Sequence, residues 1–282
     1  KGMTLDGGIG VGRFTRKVLE QEAGEAAINK VPRQMIREAV QSQIEKYEWD
    51  GGADIVIYIP EGVEIAKKTF NPRLGIEGGL SVLGTSGIVV PMSEKALIAS
   101  IRLEMEMKRK NGAKYLLLTP GNYGADFVKE NTKLDVESSM KCSNYVGETL
   151  DMAVELGFLG VLFVAHIGKF VKVSGGIMNT HSRHSDARAE LMCAHALRSG
   201  ADLETAKAIL ETITTEEAME IIRMHGLQDA VMEQMAEKVH QYMQHRVEGA
   251  IQTEAILFSN RFGYLGETKG AEKLAEKFKY DL

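Results

Sequence analysis

The feature of this sequence that most restricts its fold is residues 161–165, a run in which every side chain is hydrophobic. A strand that is apolar on both faces is buried on both sides, which is typical of a parallel sheet covered by helices. Further strands are predicted at residues 115–118, 136–141 and 255–258, and segments with helical spacing lie between them. Strands that alternate with helices predict an α/β domain with a four-stranded parallel sheet.

The first part of the chain is organised differently. Apolar residues at helical spacing predict helices at residues 32–46 and 93–109, with a strand at residues 54–59 between them. We therefore predict two domains, an α+β domain at residues 1–111 and an α/β domain at residues 112–282. Because the chain does not begin with Met, we expect the N-terminal part of the first domain to be missing from it.

Composition excludes several classes of protein. Hydrophobic residues make up 44% and charged residues 26% of the chain, which is typical of a globular enzyme and not of a disordered protein. The net charge of −5 argues against a nucleic-acid or anionic-membrane partner, and no apolar run is long enough to span a membrane. Two distant cysteines, Cys142 and Cys193, do not make a disulfide framework, so we expect buried thiols and a cytoplasmic location.

Small and polar residues follow the predicted strands, at the point where each strand ends. In open α/β sheets ligands bind at the carboxyl ends of the strands, so we predict one pocket there for a nucleoside-like cofactor. An ordinary strand-to-helix turn has the same composition, and the loops alone do not decide between the two interpretations. The predicted cofactor-binding residues are Thr119, Gly121, Asn122, Gly124, Asn144 and Ser259.

Two glycine-containing segments resemble nucleotide-binding motifs but do not match them fully. Residues 7–13 lack the third glycine of the dinucleotide fingerprint, and no convincing strand is predicted before them. Gly168 and Lys169 lack the upstream glycine and the following Ser or Thr of a P-loop. We therefore reject a nucleotide phosphate site at both places.

His181, His184 and Asp186 have side chains that bind metals, but their spacing matches no strong zinc motif. The same segment, residues 180–185, has the composition of a helix cap. We expect no protein-bound metal, and a metal-dependent hydrolase built on these three residues is one alternative function.

A set of motifs spread over essentially the whole chain is shared with one known family; these are residues 10–12, 15–17, 27–29, 71–89, 91–94, 119–122, 168–169, 180–182 and 186–188. With these motifs the chain resembles the CbiD family, the cobalt-precorrin-5B methyltransferases of anaerobic cobalamin biosynthesis. The N-terminal Gly-Tyr-Thr-Thr-Gly segment of that family is absent from this sequence.

The resemblance implies both a fold and a reaction. The fold is an α+β domain similar to the second domain of ribosomal protein S5, followed by a domain with a four-stranded parallel sheet. The reaction is methyl transfer from S-adenosylmethionine to carbon 1 of cobalt-precorrin-5B, giving cobalt-precorrin-6A. The cobalt ion then belongs to the corrinoid substrate and not to the protein.

A corrinoid carries several carboxylates, so we expect cations to bind it. If the methylated ring has to lose a proton, His166 or His181 is best suited to accept it near neutral pH, with Asp186 orienting one of them. The predicted substrate-binding cations are Lys169, Lys172, Arg183, Arg188, Arg13, Arg16 and Arg73.

A corrinoid-binding protein without catalysis is the other alternative. Such a protein would carry the same cations but would have no affinity for S-adenosylmethionine. The sequence leaves the oligomeric state open, and a homo-oligomer is compatible with it.

Overall fold

The chain divides into two units, Lys1–Met107 and Lys108–Leu282. The computed structural model describes residues 2–15, 22–69, 71–83, 94–121, 124, 127–129, 134–135 and 138–278, with the side chains of Arg73 and Leu74 left out. The two domains predicted from the sequence, residues 1–111 and 112–282, stay a prediction.

The first unit combines short paired strands with three described helices. The strands form three two-stranded pairs, of which β1 with β4 and β2 with β6 are parallel and β3 with β5 is antiparallel. The elements are β1 (Met3–Gly7), β2 (Gly10–Val11), β3 (Arg13–Phe14), α1 (Lys30–Lys46), β4 (Ala53–Ile57), α2 (Gly62–Ala66), a 3-10 turn (Asn71–Leu74), β5 (Ile76–Glu77), β6 (Gly79–Leu80) and α3 (Glu94–Lys110).

The glycine-rich segments of the first unit allow backbones to pack closely. A Cβ atom added to Gly10 would lie 1.7 Å from the carbonyl oxygen of Ile59, and Gly10 itself has a φ of +79°. Only glycine tolerates both conditions. A strand, β1, ends at Gly7, so the expectation that no strand precedes residues 7–13 is wrong. In the described residues the glycine segment leads into the short strands β2 and β3 and does not open a helix, and the third glycine of the dinucleotide motif is absent from the segment.

The second unit alternates strands and helices along the chain. Its elements are β7 (Tyr115–Thr119), β8 (Ser139–Lys141), α4 (Val146–Glu155), β9 (Gly160–His166), α5 (Ile167–Val173), α6 (Arg188–Arg198), α7 (Leu203–Leu210), α8 (Thr215–Met224), α9 (Gln228–Arg246), β10 (Gln252–Ser259), β11 (Gly263–Glu267), α10 (Ala271–Ala275) and a 3-10 turn (Glu276–Phe278).

Over the described residues these strands form one mixed sheet in the order β11–β10–β9–β7–β8. Strands β8, β7, β9 and β10 are parallel, and β11 is antiparallel to β10. The prediction of a four-stranded parallel sheet is therefore corrected to a mixed sheet of five strands. The fifth strand follows β10 through a tight turn at residues 260–262, which allows an antiparallel neighbour.

The buried run at residues 161–165 forms the centre of this sheet. Every residue of β9 from Gly160 to Ala165 is buried. The neighbouring strand contributes Phe258, which stacks on Phe127 with ring centroids 4.3 Å apart. Burial of both sheet faces explains why the strand shows no polar alternation in the sequence.

Helix α5 begins directly after β9 and was not predicted. Its N-cap is His166, whose ring accepts a hydrogen bond from the backbone N–H of Gly168. The residues of α5 continue the apolar run of β9, so the sequence shows no change of period where the strand ends. The next helix, α6, begins at Arg188, after a turn at residues 182–184 and an irregular stretch at residues 185–187.

Both cysteines are free and buried, as expected. Burial raises the pKa of the Cys142 thiol to about 12. Within the described part of the chain, no helix combines the length and the apolar character that crossing a membrane requires.

Candidate functional site

The strand order of the second unit reverses direction between β7 and β9. Strand β7 has β8 on one side and β9 on the other, so the chain leaves β7 in one direction and returns on its opposite side. Ligands in open α/β sheets bind at such a reversal of strand order. The residues that end these two strands are Thr119 and His166.

Lys169 connects three of the predicted loops at this edge. Its ammonium donates to Asn144 Oδ1 at 2.8 Å and lies 3.4 Å from the carbonyl oxygen of Ser143. A Cβ atom added to Gly121 would lie 3.5 Å from the same nitrogen, so the loop after β7 passes beside it. Burial lowers the pKa of Lys169, and the charge of Lys172 lowers it further.

His166 is held at both of its ring nitrogens. Nδ1 accepts the N–H of Gly168 at 3.1 Å, and Nε2 lies 3.3 Å from Oε1 of Glu216. Since an accepting Nδ1 carries no proton, the proton of the neutral ring is on Nε2 and is donated to the carboxylate. The N–H of Asn260 is also near Nε2, at a longer distance of 3.4 Å. Burial lowers the pKa of His166, while Glu216 raises it and Lys169 lowers it.

Glu216 also binds the end of β10. Both of its carboxylate oxygens lie 2.8 Å from Oγ of Ser259. That hydroxyl oxygen accepts the backbone N–H groups of Arg261 and Phe262 at 3.1 and 3.2 Å, which leaves its own proton for the carboxylate. The predicted residues Gly121, Asn144, His166 and Ser259 therefore meet at one edge of the sheet, and their roles stay predictions.

Three other predicted cofactor residues are Thr119, which ends β7, and Asn122 and Gly124, which come after it in the sequence. Thr119 is fully buried, and its Oγ1 has no hydrogen-bond partner in the described structure. Gly124 packs against the backbone of β9, since a Cβ there would lie 2.8 Å from the carbonyl oxygen of Val164. Asn122 lies outside the described residues.

Lys172 does not fit its predicted role as a substrate-binding cation. Its side chain is 3% exposed, and its ammonium donates to the carbonyl oxygens of Thr180 and Ser185 at 3.2 and 2.8 Å. The ammonium is thus used to hold the loop that follows α5. A corrinoid carboxylate cannot reach it without displacing that loop.

Asp186 does not orient a histidine in the described structure. Its carboxylate accepts two hydrogen bonds from Arg188, at 2.6 and 2.8 Å, and lies 3.8 Å from Lys172. The Arg188 guanidinium accordingly lowers the pKa of Asp186. The carboxylate that contacts His166 is Glu216 instead.

Two further predicted residues follow Thr180, whose hydroxyl donates to Asn144 Oδ1 at 3.3 Å. His181 and Arg183 are exposed, and His181 Nδ1 accepts the N–H of Arg183 at 3.0 Å. Arg13 belongs to the first unit, where it pairs with Asp6 at 2.9 Å. Arg16 lies outside the described residues, and the side chain of Arg73 is not described. Among the residues that are described, no group of three or more His, Cys, Asp or Glu side chains could hold a metal ion.

The first unit has a cleft of its own, with a volume of about 660 Å³. Its walls include Gly8, Ile9, Arg13, Thr15 and Glu77. The Arg13 guanidinium that lines it also donates to the carbonyl oxygens of Gly7 and Gly24. One predicted cation therefore lies beside a glycine-walled cleft.

Sequence reasoning missed Glu216, the residue that joins His166 to Ser259. A capping box formed by Thr214 and Glu217 is readable in the sequence and predicts the start of α8. It does not indicate which side chain of the first turn faces the sheet. Glu216 contacts residues 50 and 43 positions away, and only packing of α8 on the sheet brings them together.

Comparison with known proteins adds to this geometry. The family model CbiD matches residues 1–91, and the model "CbiD, C-terminal domain" matches residues 179–269. Among curated proteins, the cobalt-precorrin-5B C(1)-methyltransferase of Ruminiclostridium cellulolyticum is 47% identical over 92% of this chain and 68% of its own length. The proteins of the same name from Alkaliphilus metalliredigens and Photorhabdus laumondii are 42% and 43% identical, over 98% and 96% of this chain and 72% of each relative.

A solved structure, the cobalamin biosynthesis protein (cbiD) of Archaeoglobus fulgidus, is 25% identical. The alignment covers 67% of this chain and 58% of that one, with a TM-score of 0.28.

Proposed function

The chain belongs to the CbiD family, and on that premise we propose that it transfers a methyl group from S-adenosylmethionine to carbon 1 of cobalt-precorrin-5B. The product is cobalt-precorrin-6A, an intermediate of cobalamin biosynthesis. The observation that carries this proposal is the identity of 47% over 92% of the chain to a relative named for that reaction. The methyl donor follows from the reaction class.

The proposal includes a place for the donor, at the carboxyl ends of β7 and β9. The buried hydroxyl of Thr119, which has no partner in the described structure, fits a polar ligand there. Lys169 and Asn144 add an ammonium and an amide oxygen that are already bound to each other. We also propose that the first unit corresponds to the domain similar to ribosomal protein S5.

S-adenosylmethionine supplies a sulfonium methyl, which needs no further activation by an acid. The protein's task is then to hold the corrinoid carbon in line with that methyl and to keep water out. In this proposal both ring nitrogens of His166 are already used, because Nδ1 accepts the N–H of Gly168 and Nε2 donates its proton to Glu216. His166 would have to give up the bond at Nδ1 before it could accept a proton from the substrate. His181, an exposed histidine, remains the second candidate for a proton acceptor.

The corrinoid would be bound through its carboxylates by exposed cations. Arg183 is exposed, and Arg188 is shared with Asp186. Arg13 lines the cleft of the first unit. The cobalt ion is substrate in this proposal. A cytoplasmic location stays a prediction from the sequence, which leaves the oligomeric state open.

The test is an assay of the purified chain with S-adenosylmethionine and cobalt-precorrin-5B under anaerobic conditions. The expected product is one methylene heavier by mass spectrometry and forms together with S-adenosylhomocysteine. Binding of the corrinoid without affinity for S-adenosylmethionine would instead identify a carrier protein. Activity on hydrolysable esters that a chelator removes would identify the metal-dependent hydrolase.

A further inference from the structure

Lys169 is a partly buried cation that is not neutralised by a carboxylate in the described structure. Its hydrogen bonds go to an amide oxygen of Asn144 and to the carbonyl oxygen of Ser143. The titratable groups that act on it are Cys142, which burial keeps as a neutral thiol, Lys172, which is another cation, and His166. An ammonium has three donors, so one N–H remains for a ligand.

Glu216 presents the opposite charge at the same edge. Its described hydrogen-bonding partners are His166 and Ser259. The serine hydroxyl carries no charge, and burial keeps the pKa of His166 below its ordinary value. The charge of Arg261 also acts on Glu216, but the guanidinium of Arg261 makes its hydrogen bonds with Glu220, at 2.6 and 2.9 Å. A carboxylate can accept about four hydrogen bonds, so Glu216 keeps acceptor capacity.

The two charges flank the end of the central strand β9. Lys169 extends toward the ends of β7 and β8, through Gly121 and Asn144. Glu216 lies toward the end of β10, through Ser259. Between them stands His166, whose pKa responds to both charges.

We propose that Lys169 and Glu216 together bind the α-amino-acid end of the methyl donor, with Lys169 taking its carboxylate and Glu216 its ammonium. A zwitterion is the ligand class that neutralises one cation and one anion at once, and charged hydrogen bonds of this kind are the strong ones. The inference rests on the proposed function, because S-adenosylmethionine is the substrate that carries such a group.

This assignment replaces the expectation that Lys169 binds a corrinoid carboxylate. Corrinoid carboxylates would neutralise Lys169 but would meet the negative charge of Glu216 at the same edge. Lys169 also lies among Gly121 and Asn144, which are the residues predicted for the cofactor. The donor therefore fits the pair of charges better than the corrinoid does.

The test compares three ligands by calorimetry with the full chain. S-adenosylhomocysteine carries both charges, its decarboxylated analogue carries only the ammonium, and 5′-methylthioadenosine carries neither. We expect the wild-type chain to bind S-adenosylhomocysteine about 10- to 100-fold more tightly than the analogue that lacks the carboxylate, and methylthioadenosine most weakly.

Two variants separate the two contacts. Lys169→Met should lower the affinity for S-adenosylhomocysteine about 10- to 100-fold and leave the decarboxylated analogue unchanged. Glu216→Gln, which keeps an oxygen for Ser259, should lower the affinity for both of those ligands and leave methylthioadenosine unchanged. Lys169→Arg should restore much of the affinity. Lys207→Met and Glu204→Gln, an exposed ion pair of α7, are the matched controls.

Several results would overturn the inference. Equal losses for all three ligands would show that Lys169 and Glu216 only support the fold, and unchanged affinities would remove both from the site. If Lys169→Met weakened corrinoid binding alone, the lysine would belong to the substrate. Equal wild-type affinity for S-adenosylhomocysteine and methylthioadenosine would exclude the zwitterion site but not the methyltransferase, whereas no binding of S-adenosylhomocysteine would contradict both proposals.

Discussion

At the scale of single residues, the chemistry of this protein depends on where each buried polar group finds its hydrogen bond. The ring of His166 contacts the carboxylate of Glu216, and the hydroxyl of Ser259 donates a hydrogen bond to the same carboxylate. Thr119 and His195 are different, because each is buried with one polar atom that has no described partner. Such atoms destabilise the fold, so each leads to a measurable expectation.

Thr119→Val should raise the stability of the chain by about 1 kcal/mol, since it removes a buried hydroxyl without a partner and keeps the shape of the side chain. The same change should weaken S-adenosylhomocysteine binding if the hydroxyl contacts the donor. Urea unfolding and calorimetry measure the two effects. The control is Thr149→Val, whose Oγ1 donates to the carbonyl oxygen of Tyr145 at 2.6 Å and which should lose stability. A destabilised Thr119→Val would show that the hydroxyl has a partner.

His195 makes stability depend on pH. Burial lowers its pKa to about 4 from an ordinary value of 6.5, so below pH 6.5 the unfolded chain gains a proton there that the folded chain does not bind. Stability is therefore lost as the pH falls toward 4, by about 2 kcal/mol between pH 7 and pH 5.

The measurement compares urea unfolding of the wild type and His195→Gln at those two pH values. Nε2 of His195 lies 2.8 Å from Oγ of Ser174, and a glutamine can donate the same bond. The variant should lose less stability than the wild type on acidification. Parallel losses in both proteins would assign the pH dependence to other groups.

At the scale of elements, helix α8 connects the helical block to the site. Its capping box at Thr214 and Glu217 fixes where the helix starts, and Glu216 lies in its first turn. A carboxylate in the first turn is favoured by the helix dipole, so Glu216 suits its position as well as its contacts. The start of α8 therefore determines where the site's carboxylate lies.

Thr214→Ala should lower the stability of the chain by about 1 kcal/mol, because it removes the bond from the Glu217 N–H to the threonine hydroxyl. It should also weaken S-adenosylhomocysteine binding by shifting Glu216. Thermal unfolding and calorimetry report the two effects, and Thr214→Ser, which keeps a capping oxygen, is the control. If Thr214→Ala lowers stability but keeps the full affinity for S-adenosylhomocysteine, the cap does not position Glu216 for binding.

At the scale of the whole molecule, a ligand that binds only the folded chain raises its stability by an amount set by its concentration. We expect S-adenosylhomocysteine at 100 times its Kd to add about 2.7 kcal/mol and to raise Tm. Scanning calorimetry at increasing ligand concentration measures the shift. Lys207→Met should show the full shift and Lys169→Met a smaller one at the same concentration. A Tm that does not depend on the ligand would contradict a donor site in the folded chain.

The sequence by itself determined those features that depend on near neighbours along the chain. The apolar run before His166 predicted β9, and the helical spacing of residues 32–46 and 93–109 predicted α1 and α3 to within a few residues. The strand-end loops predicted which edge of the sheet carries the polar groups. Each of these follows from a local repeat, which folding leaves in place.

Only the tertiary structure decided which side chains meet. The contacts of Glu216 with His166 and with Ser259 are absent from any local pattern. Helix α5 was hidden because it continues an apolar strand without a change of period. These features depend on how helices pack across the sheet, and packing joins residues that are tens of positions apart in sequence.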